Sequence, residues 1–449
     1  MEFLKKQGVN LLVWVILAGM ILVRLTSYGD LNLSVANADS GTYIQGGASP
    51  LFSQDMLTKS RLFTTNLLYY LADVQDCEIQ AISYPAIRTE TYRAVQPCFN
   101  EIVFFQNIFS IFAWSFLALV ISRKMKYGYE KVLAVSLIAA FGFTPSIADW
   151  DSILGSESLT FSLFAVSAAL MVEVAFRIPK GTEKNKSSLV LNFLTVAALA
   201  LWAFIRDANI YTLIVLLVMS TSTLAFPIFR KNKTLLFSIA MIIVITIIGL
   251  QSAMASRRWE VPLTNVFNDL ILPHPARVEF MHKLGMPSIT SPEYSSWFIR
   301  NAPKAYARFL VTHPGYVLTS FTPELVGIFS ENIQPYFYSE QTPARMALIV
   351  VNDILHPKTH LILFLDFLLM IGFLIFIFRR NSKNFTIWVW LDLWLFLSAS
   401  LTLGVGFFAD SIGVTRHTLF AVEIFRLMLW SFLIILFDHV NQTDQSDFA

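Results

Sequence analysis

Charge is what this sequence has least of. Only 14% of its 449 residues are Asp, Glu, Lys or Arg, against about 25% in an ordinary soluble domain. The few charges nearly cancel, to a net +2, and no long Lys/Arg run offers a nucleic-acid footprint. Cysteine is almost absent: Cys77 and Cys98 stand alone, which excludes a disulfide-dense scaffold and a cysteine-cage zinc site. There is no glycine-rich phosphate loop and no nucleophile elbow, so nothing supports nucleotide hydrolysis. Internal repeats and low-complexity tracts are missing as well.

What fills the space is apolar. Hydrophobic residues make up 55% of the chain, with 40 phenylalanines, and the mean hydropathy is +0.59. Runs of about 20 apolar residues cross a bilayer as helices. About ten are legible, at 9–27, 101–122, 130–147, 153–176, 188–205, 209–228, 234–252, 361–378, 385–404 and 417–437. The first is read as a retained span rather than a signal peptide, because no small-x-small cleavage site follows it cleanly. Arg206-Asp207-Ala208-Asn209 reads as a turn that keeps the fifth and sixth spans separate.

Loop charge then sets the orientation. Lys5-Lys6 and the basic segments 123–131, 177–186, 230–233 and 379–383 all fall on one side of a ten-span chain. That side is expected to be cytoplasmic, with both termini. The opposite side receives a loop of about 70 residues (28–100), a short acidic turn (148–152), Arg206-Asp207, a segment of about 100 residues (253–360), and the turn 407–418. The expected organisation is therefore a transmembrane module 1–252, an extracytoplasmic segment 253–360, and C-terminal transmembrane helices 361–449. Residues 60–72 and 300–319 carry helical apolar spacing and read as helices lying along the membrane surface, apolar face down. Cys77 and Cys98 both lie in the first outer loop, where they either pair as a disulfide or stay as two free thiols.

The chemistry-bearing side chains gather on that outer side. Asp39 sits in 37-NADSGTY-43, either as the cap of a helix starting at Ser40 or as a general base. Asp149 and Asp151 are either surface-turn residues, one of them capping the fourth span, or functional carboxylates. Glu157 lies inside that span, where an unpaired carboxylate is costly. Arg206 and Asp207 read as interfacial anchors or as ligands; Arg416 and His417 likewise, after Asp410. A carboxylate can take the proton of an attacking hydroxyl, and arginine can hold a leaving phosphate through paired N–H donors. Elsewhere, Glu423 and Arg426 stand i, i+3 and read as a local ion pair. Asp366 and Asp392 are the intramembrane carboxylates that a proton-coupled transporter would need.

This layout resembles the GT-C class of integral-membrane glycosyltransferases, of an uncharacterised bacterial type. The resemblance rests on Asp39 early in a long first outer loop and on 149-DWDSILGSESLTFSLF-164 between the third and fourth spans. It also rests, more loosely, on 313-HPGYVL-318 and 410-DSIGVTRH-417. The first loop departs from some subfamilies in having lone Asp39 where they have an adjacent acidic pair. The resemblance implies an all-α polytopic fold with surface helices in two large extracytoplasmic segments. It also implies transfer of a sugar from a polyprenyl-phosphate donor to an acceptor hydroxyl on a glycolipid, polysaccharide or protein. Asp39 would be the general base. Asp149, Asp151 and Glu157 would position acceptor or metal, and Arg206, Arg416 and His417 would bind the donor phosphate. A divalent ion (Mg or Mn) is the one cofactor this allows, through hard oxygen ligands. The expected location is a bacterial inner membrane with the active site extracytoplasmic; the Asn-x-Ser/Thr sites fall mostly on the side read as cytoplasmic. The alternatives are a lipid or sugar transporter or flippase, and a polysaccharide polymerase or ligase using the arginines of 253–360.

Overall fold

A computed structural model describes residues 2–37, 39–79, 95–178, 186–330, 334–336, 342–379 and 383–443. The chain is helical almost throughout, an all-α polytopic membrane protein. The only strands among the described residues are the two-residue pair β1 (Val35–Ala36) and β2 (Ile153–Leu154). In the N-terminal half, α1 (Glu2–Ser27), α5 (Asn100–Lys124), α6 (Gly128–Phe143) and α8 (Glu157–Arg177) are the long helices, with α2 (Ser40–Gly47), α3 (Asp55–Thr58), α4 (Phe63–Leu71) and α7 (Pro145–Ala148) between them. Then follow α9 (Lys186–Ala203), α10 (Asp207–Thr223), α11 (Pro227–Arg230) and α12 (Lys233–Ser256). The segment 253–360 holds α13 (Glu260–Val266), α14 (Pro275–Lys283), α15 (Glu293–Thr312), α16 (Pro314–Ser330) and α17 (Pro343–Leu355). The chain closes with α18 (Leu361–Arg379), α19 (Lys383–Phe408) and α20 (Val414–Thr443).

Among the described residues, seven helices are long and apolar enough to cross a membrane, and α10 and α18 are shorter apolar helices. The expected run 130–147 is a correction: α6 and the segment Pro145–Ser152 meet at a 44° bend. Proline explains the break. The residue before a proline avoids helical dihedrals, and Thr144 sits at φ −87°, ψ 160°. The backbone N–H of Ser146, released from the helix, is taken by Asn352 Oδ1 at 2.8 Å. Irregular backbone at such depth is tolerated where protein covers it. The next span is also shorter than expected, starting at Glu157 rather than at 153. Residues 153–154 instead form β2, whose pairing with β1 lays the beginning of the first outer loop against the 148–155 segment.

The acidic turn 148–152 is not at the surface. Asp149 and Asp151 are 2% and 1% exposed, a further correction. Arg345 of α17 grips both oxygens of Asp149 at 2.8 and 2.6 Å, and Arg24 of α1 reaches Asp151 at 3.0 Å. The Tyr28 ring lies between the two guanidiniums, 3.9 Å from Arg24 and 4.5 Å from Arg345. Three elements far apart in sequence are thereby fastened beneath the first outer loop.

The buried face of α4 is Thr64, Thr65, Asn66 and Tyr69, packed on α2; Thr64 bonds the carbonyls of Leu201 and Phe204. Contact with α2 is close enough that a Cβ on Gly47 would lie 2.6 Å from Tyr69 Cβ. The stretch 300–319 is broken at Pro314 into α15 and α16. The apolar face of α15 (Trp297, Phe298, Ala302, Ala305, Tyr306, Phe309) closes over Phe267, Ile271 and Met281, forming a small separate core in place of the expected lipid-facing stripe. The expected Glu423–Arg426 pair is present at 2.5 Å, joined by His356 at 2.6 Å. Asp392 accepts from Ser431 at 2.8 Å.

Cys77 and Cys98 form a disulfide beside the buried Phe99. The two cysteines lie 21 positions apart, so the bond restricts the unfolded chain by about 3 kcal/mol. Cys98→Ser is expected to lower unfolding stability by about that amount, read from detergent-denaturant unfolding under non-reducing conditions. An unchanged midpoint would mean that the surrounding packing carries the loop alone.

Candidate active site

Four helix starts converge on one point. Asp39 immediately precedes α2, Glu157 opens α8, Arg206 immediately precedes α10, and Arg416 lies in the first turn of α20. Each position follows from local sequence. Asp39 stands at the cap position of α2, yet its side chain makes no capping bond. Asn37 Oδ1 instead receives the Asp39 N–H at 2.8 Å, and the Ser40 hydroxyl bonds Leu154 O at 2.8 Å, tying α2 to β2. The Asp39 carboxylate is thereby left free to face the centre.

There it meets arginine. Arg416 donates Nη1–H to Asp39 Oδ2 at 2.6 Å and Nε–H to Glu157 Oε1 at 2.6 Å. Arg206 donates to the same Glu157 oxygen at 2.8 Å. The other Glu157 oxygen accepts the Ser156 N–H at 3.0 Å. A third guanidinium, Arg61, stands 3.3 Å from Asp39 Oδ1. It is fixed by its own bond to Thr42 Oγ1 at 2.6 Å and lies over the Tyr43 ring at 4.1 Å. Glu157 is 1% exposed, whereas the Asp39 side chain is 42% exposed, so Asp39 is the member that faces outward.

Partial burial pushes the Asp39 carboxyl up, but the Arg416 guanidinium and then Arg61 outweigh it, and Asp39 titrates below the usual aspartate range. His417, next to Arg416, turns away to Asp410 at 3.5 Å; Asp410 also accepts from Asn265 of α13 at 3.0 Å. Asp207 is held on both oxygens by Arg258, at 2.9 and 2.8 Å, and Arg258 also bonds Lys59 O at 3.0 Å. This clasp joins the Arg206 turn to the strand of chain leading into Arg61.

Of the expected site residues, Asp39, Glu157, Arg206 and Arg416 come together. Asp149 and Asp151 form the buried pairs with Arg345 and Arg24, and His417 lies at the edge with Asp410. Arg61 was not anticipated; its signal is a lone basic residue at the head of the run 61-RLFTTNLLYYL-71. The arrangement does not fit a divalent cation. Asp39 and Glu157 are saturated by guanidiniums, Asp149 and Asp151 are committed elsewhere, and no group of three His, Cys, Asp or Glu ligands stands together among the described residues. His356 and His360 are spaced i, i+4, but His356 is bonded to Glu423 and Thr144. Two carboxylates facing three guanidiniums leave one positive charge over, and the helix starts add the positive ends of their dipoles. The site is built for an anion.

No protein-family profile matches the chain, and no curated protein does. Among solved structures it is similar to the oligosaccharyltransferase AglB of Archaeoglobus fulgidus in complex with an inhibitory peptide and a dolichol-phosphate. The identity is 13% and the TM-score 0.48, over 97% of this chain and 52% of that one. It is similar also to the apo form of the Archaeoglobus fulgidus oligosaccharyltransferase (11%, 0.47, 97% and 52%) and to its complex with Zn and sulfate (14%, 0.44, 96% and 49%). The chain spans about half the length of these structures.

Proposed function

We propose that the protein is a membrane glycosyltransferase of GT-C type that moves a sugar from a polyprenyl-phosphate donor to an acceptor hydroxyl. The observation that carries this reading is the surplus positive charge at four converging helix starts, with one carboxylate turned outward. Asp39 takes the proton of the acceptor hydroxyl. The acceptor oxygen bonds the anomeric carbon as the bond from that carbon to the phosphate oxygen breaks. Polyprenyl phosphate leaves with the electron pair, and Arg206 and Arg416 neutralise the charge it gains. His417 stands next to Arg416, at the rim, where it can favour an approaching phosphate. The acceptor is a glycolipid, polysaccharide or protein.

The site is assigned to the extracytoplasmic face of a bacterial inner membrane. Helix α8 starts at the site and ends at Arg177, 21 residues on, about 30 Å away at 1.5 Å per residue. Lys124 bonds Glu173 near that far end at 2.8 Å, and the charge rule reads the basic end as cytoplasmic. A site on the outer face has no supply of sugar nucleotides, so the donor is lipid-linked.

Replacing Arg206 with glutamine tests the donor side. A hydrogen bond to a charged group is worth about 1.5–3 kcal/mol, so the KM for lipid-linked sugar is expected to rise about tenfold to a hundredfold, with the acceptor KM little changed. Kinetics in nanodiscs would show it; an unaltered donor KM would remove Arg206 from the phosphate site.

A further inference from the structure

The ion pairs of the cluster create a difficulty for its chemistry. A carboxylate that titrates below the ordinary range is a poor acceptor of a hydroxyl proton, since a general base works best with an affinity matched to its task. Paired as it is with Arg416, Asp39 is such a carboxylate, and Arg416 is also the guanidinium the donor phosphate requires.

We infer that Arg416 is a shared guanidinium: it restrains Asp39 while the site is empty and passes to the donor phosphate when the lipid enters, leaving Asp39 as a working base that Arg61 keeps aimed. The inference rests on the donor-phosphate reading above and adds an order of events to it.

The geometry allows the exchange without moving a helix. Arg416 binds Glu157 through Nε and Asp39 through Nη1, two separate N–H groups of one planar fork. A phosphate entering from the exposed Asp39 side competes only for the second. The Nε bond to the fully buried Glu157 serves as the pivot, and Arg206, on the same Glu157 oxygen, supplies a second guanidinium to the same anion. Phosphate accepts charge-assisted bonds from guanidinium at least as well as a carboxylate does.

Asp39 does not drift when Arg416 leaves. Its other oxygen remains beside Arg61, which is locked by Thr42 and the Tyr43 ring, and its backbone N–H remains on Asn37. The charged and titratable groups that bear on it are then Arg61 ahead of α4, Arg416 and Arg206 on Glu157 of α8, Tyr43 of α2, Tyr336 and the incoming phosphate. Of the cations only Arg61 still faces Asp39 directly, while the phosphate offsets the charge of Arg416 and Arg206. Loss of one opposite charge raises a carboxylate by about one unit or more, so the base gains about tenfold or more in proton affinity when the donor is in place. Arg61 is thus a positioning residue: it orients the base without touching the phosphate.

The test follows the protonated-carboxyl band of Asp39 by infrared difference spectroscopy on full-length protein in nanodiscs. The band is identified by subtraction of Asp39→Asn, and the sample is titrated with acid with and without a polyprenyl monophosphate whose binding is measured calorimetrically. The expected result is a titration midpoint about one unit higher when the lipid phosphate is bound. Arg416→Gln should show the raised midpoint already in the empty protein, with little further response to lipid. Binding without a shift overturns the exchange and leaves the glycosyltransferase reading intact. An equal lipid-induced shift in Arg416→Gln also overturns it, because the phosphate charge alone would then be the cause. Absence of binding removes the phosphate site itself, and the exchange with it.

Discussion

Asp39→Asn is expected to reduce sugar transfer by about a hundredfold to ten-thousandfold, the range that a positioned general base contributes, while the protein remains folded. The substitution keeps shape and loses only the ability to take a proton. Folding is insulated from it because the turn is held by other groups: Asn37 receives the Asp39 N–H and Ser40 bonds Leu154 O. The side chain itself is 42% exposed, so burial contributes little. One opposite charge is lost near Arg416 and Arg61, but Glu157 still pairs Arg416 and Thr42 still holds Arg61. The measurement is turnover of a labelled polyprenyl-phosphate sugar at saturating acceptor, beside the melting temperature of the same preparation. Near-normal turnover by a folded Asp39→Asn protein would end the assignment. Loss of both activity and folding would make Asp39 a structural ion-pair partner. The exchange of Arg416 adds a kinetic signature: the acidic limb of kcat/KM, which reports the free enzyme, should lie lower in pH than that of kcat.

The sequence makes the helices legible because a span requires a long apolar run and little else. It also makes four of the converging residues legible, since Glu157, Arg206 and Arg416 each interrupt the edge of such a run and Asp39 stands early in the long loop after the first. Partner identity is less accessible. Asp149, Asp151 and Glu157 are carboxylates within nine positions of one another, and nothing local separates them. Their fates differ because Asp149 meets Arg345, 196 positions away, Asp151 meets Arg24, 127 positions away, and Glu157 meets Arg416, 259 positions away. Such pairings are set by how helices pack, which no spacing rule encodes. Arg61 went unread for the same reason. The apolar stripe of α15 went to a different partner than the one read for it: a helical apolar stripe reports that something covers it, and at α15 other protein segments do so.

Glu157→Gln is expected to cost about 3–5 kcal/mol of stability, the effect of removing one partner from a buried ion pair. Glu157 is 1% exposed and takes both Arg206 and Arg416 on a single oxygen, so the amide leaves two guanidiniums crowded at one point, with Asp39 the counter-charge of Arg416 alone. The loop before α8 packs closely on the carboxylate: a Cβ on Gly155 would run into Glu157 Oε2. Arg416 can fall back on Asp39, whereas Arg206 has no second carboxylate partner among the described residues. The double variant Glu157→Gln/Arg206→Gln should therefore recover a substantial part of the loss, since it removes the stranded charge. Unfolding in mixed detergent would read the four corners of this cycle. If Glu157→Gln were as stable as the parent, Glu157 would not be the pivot on which both arginines rest. If the double variant were simply additive, the cost would come from lost packing rather than from the stranded guanidinium.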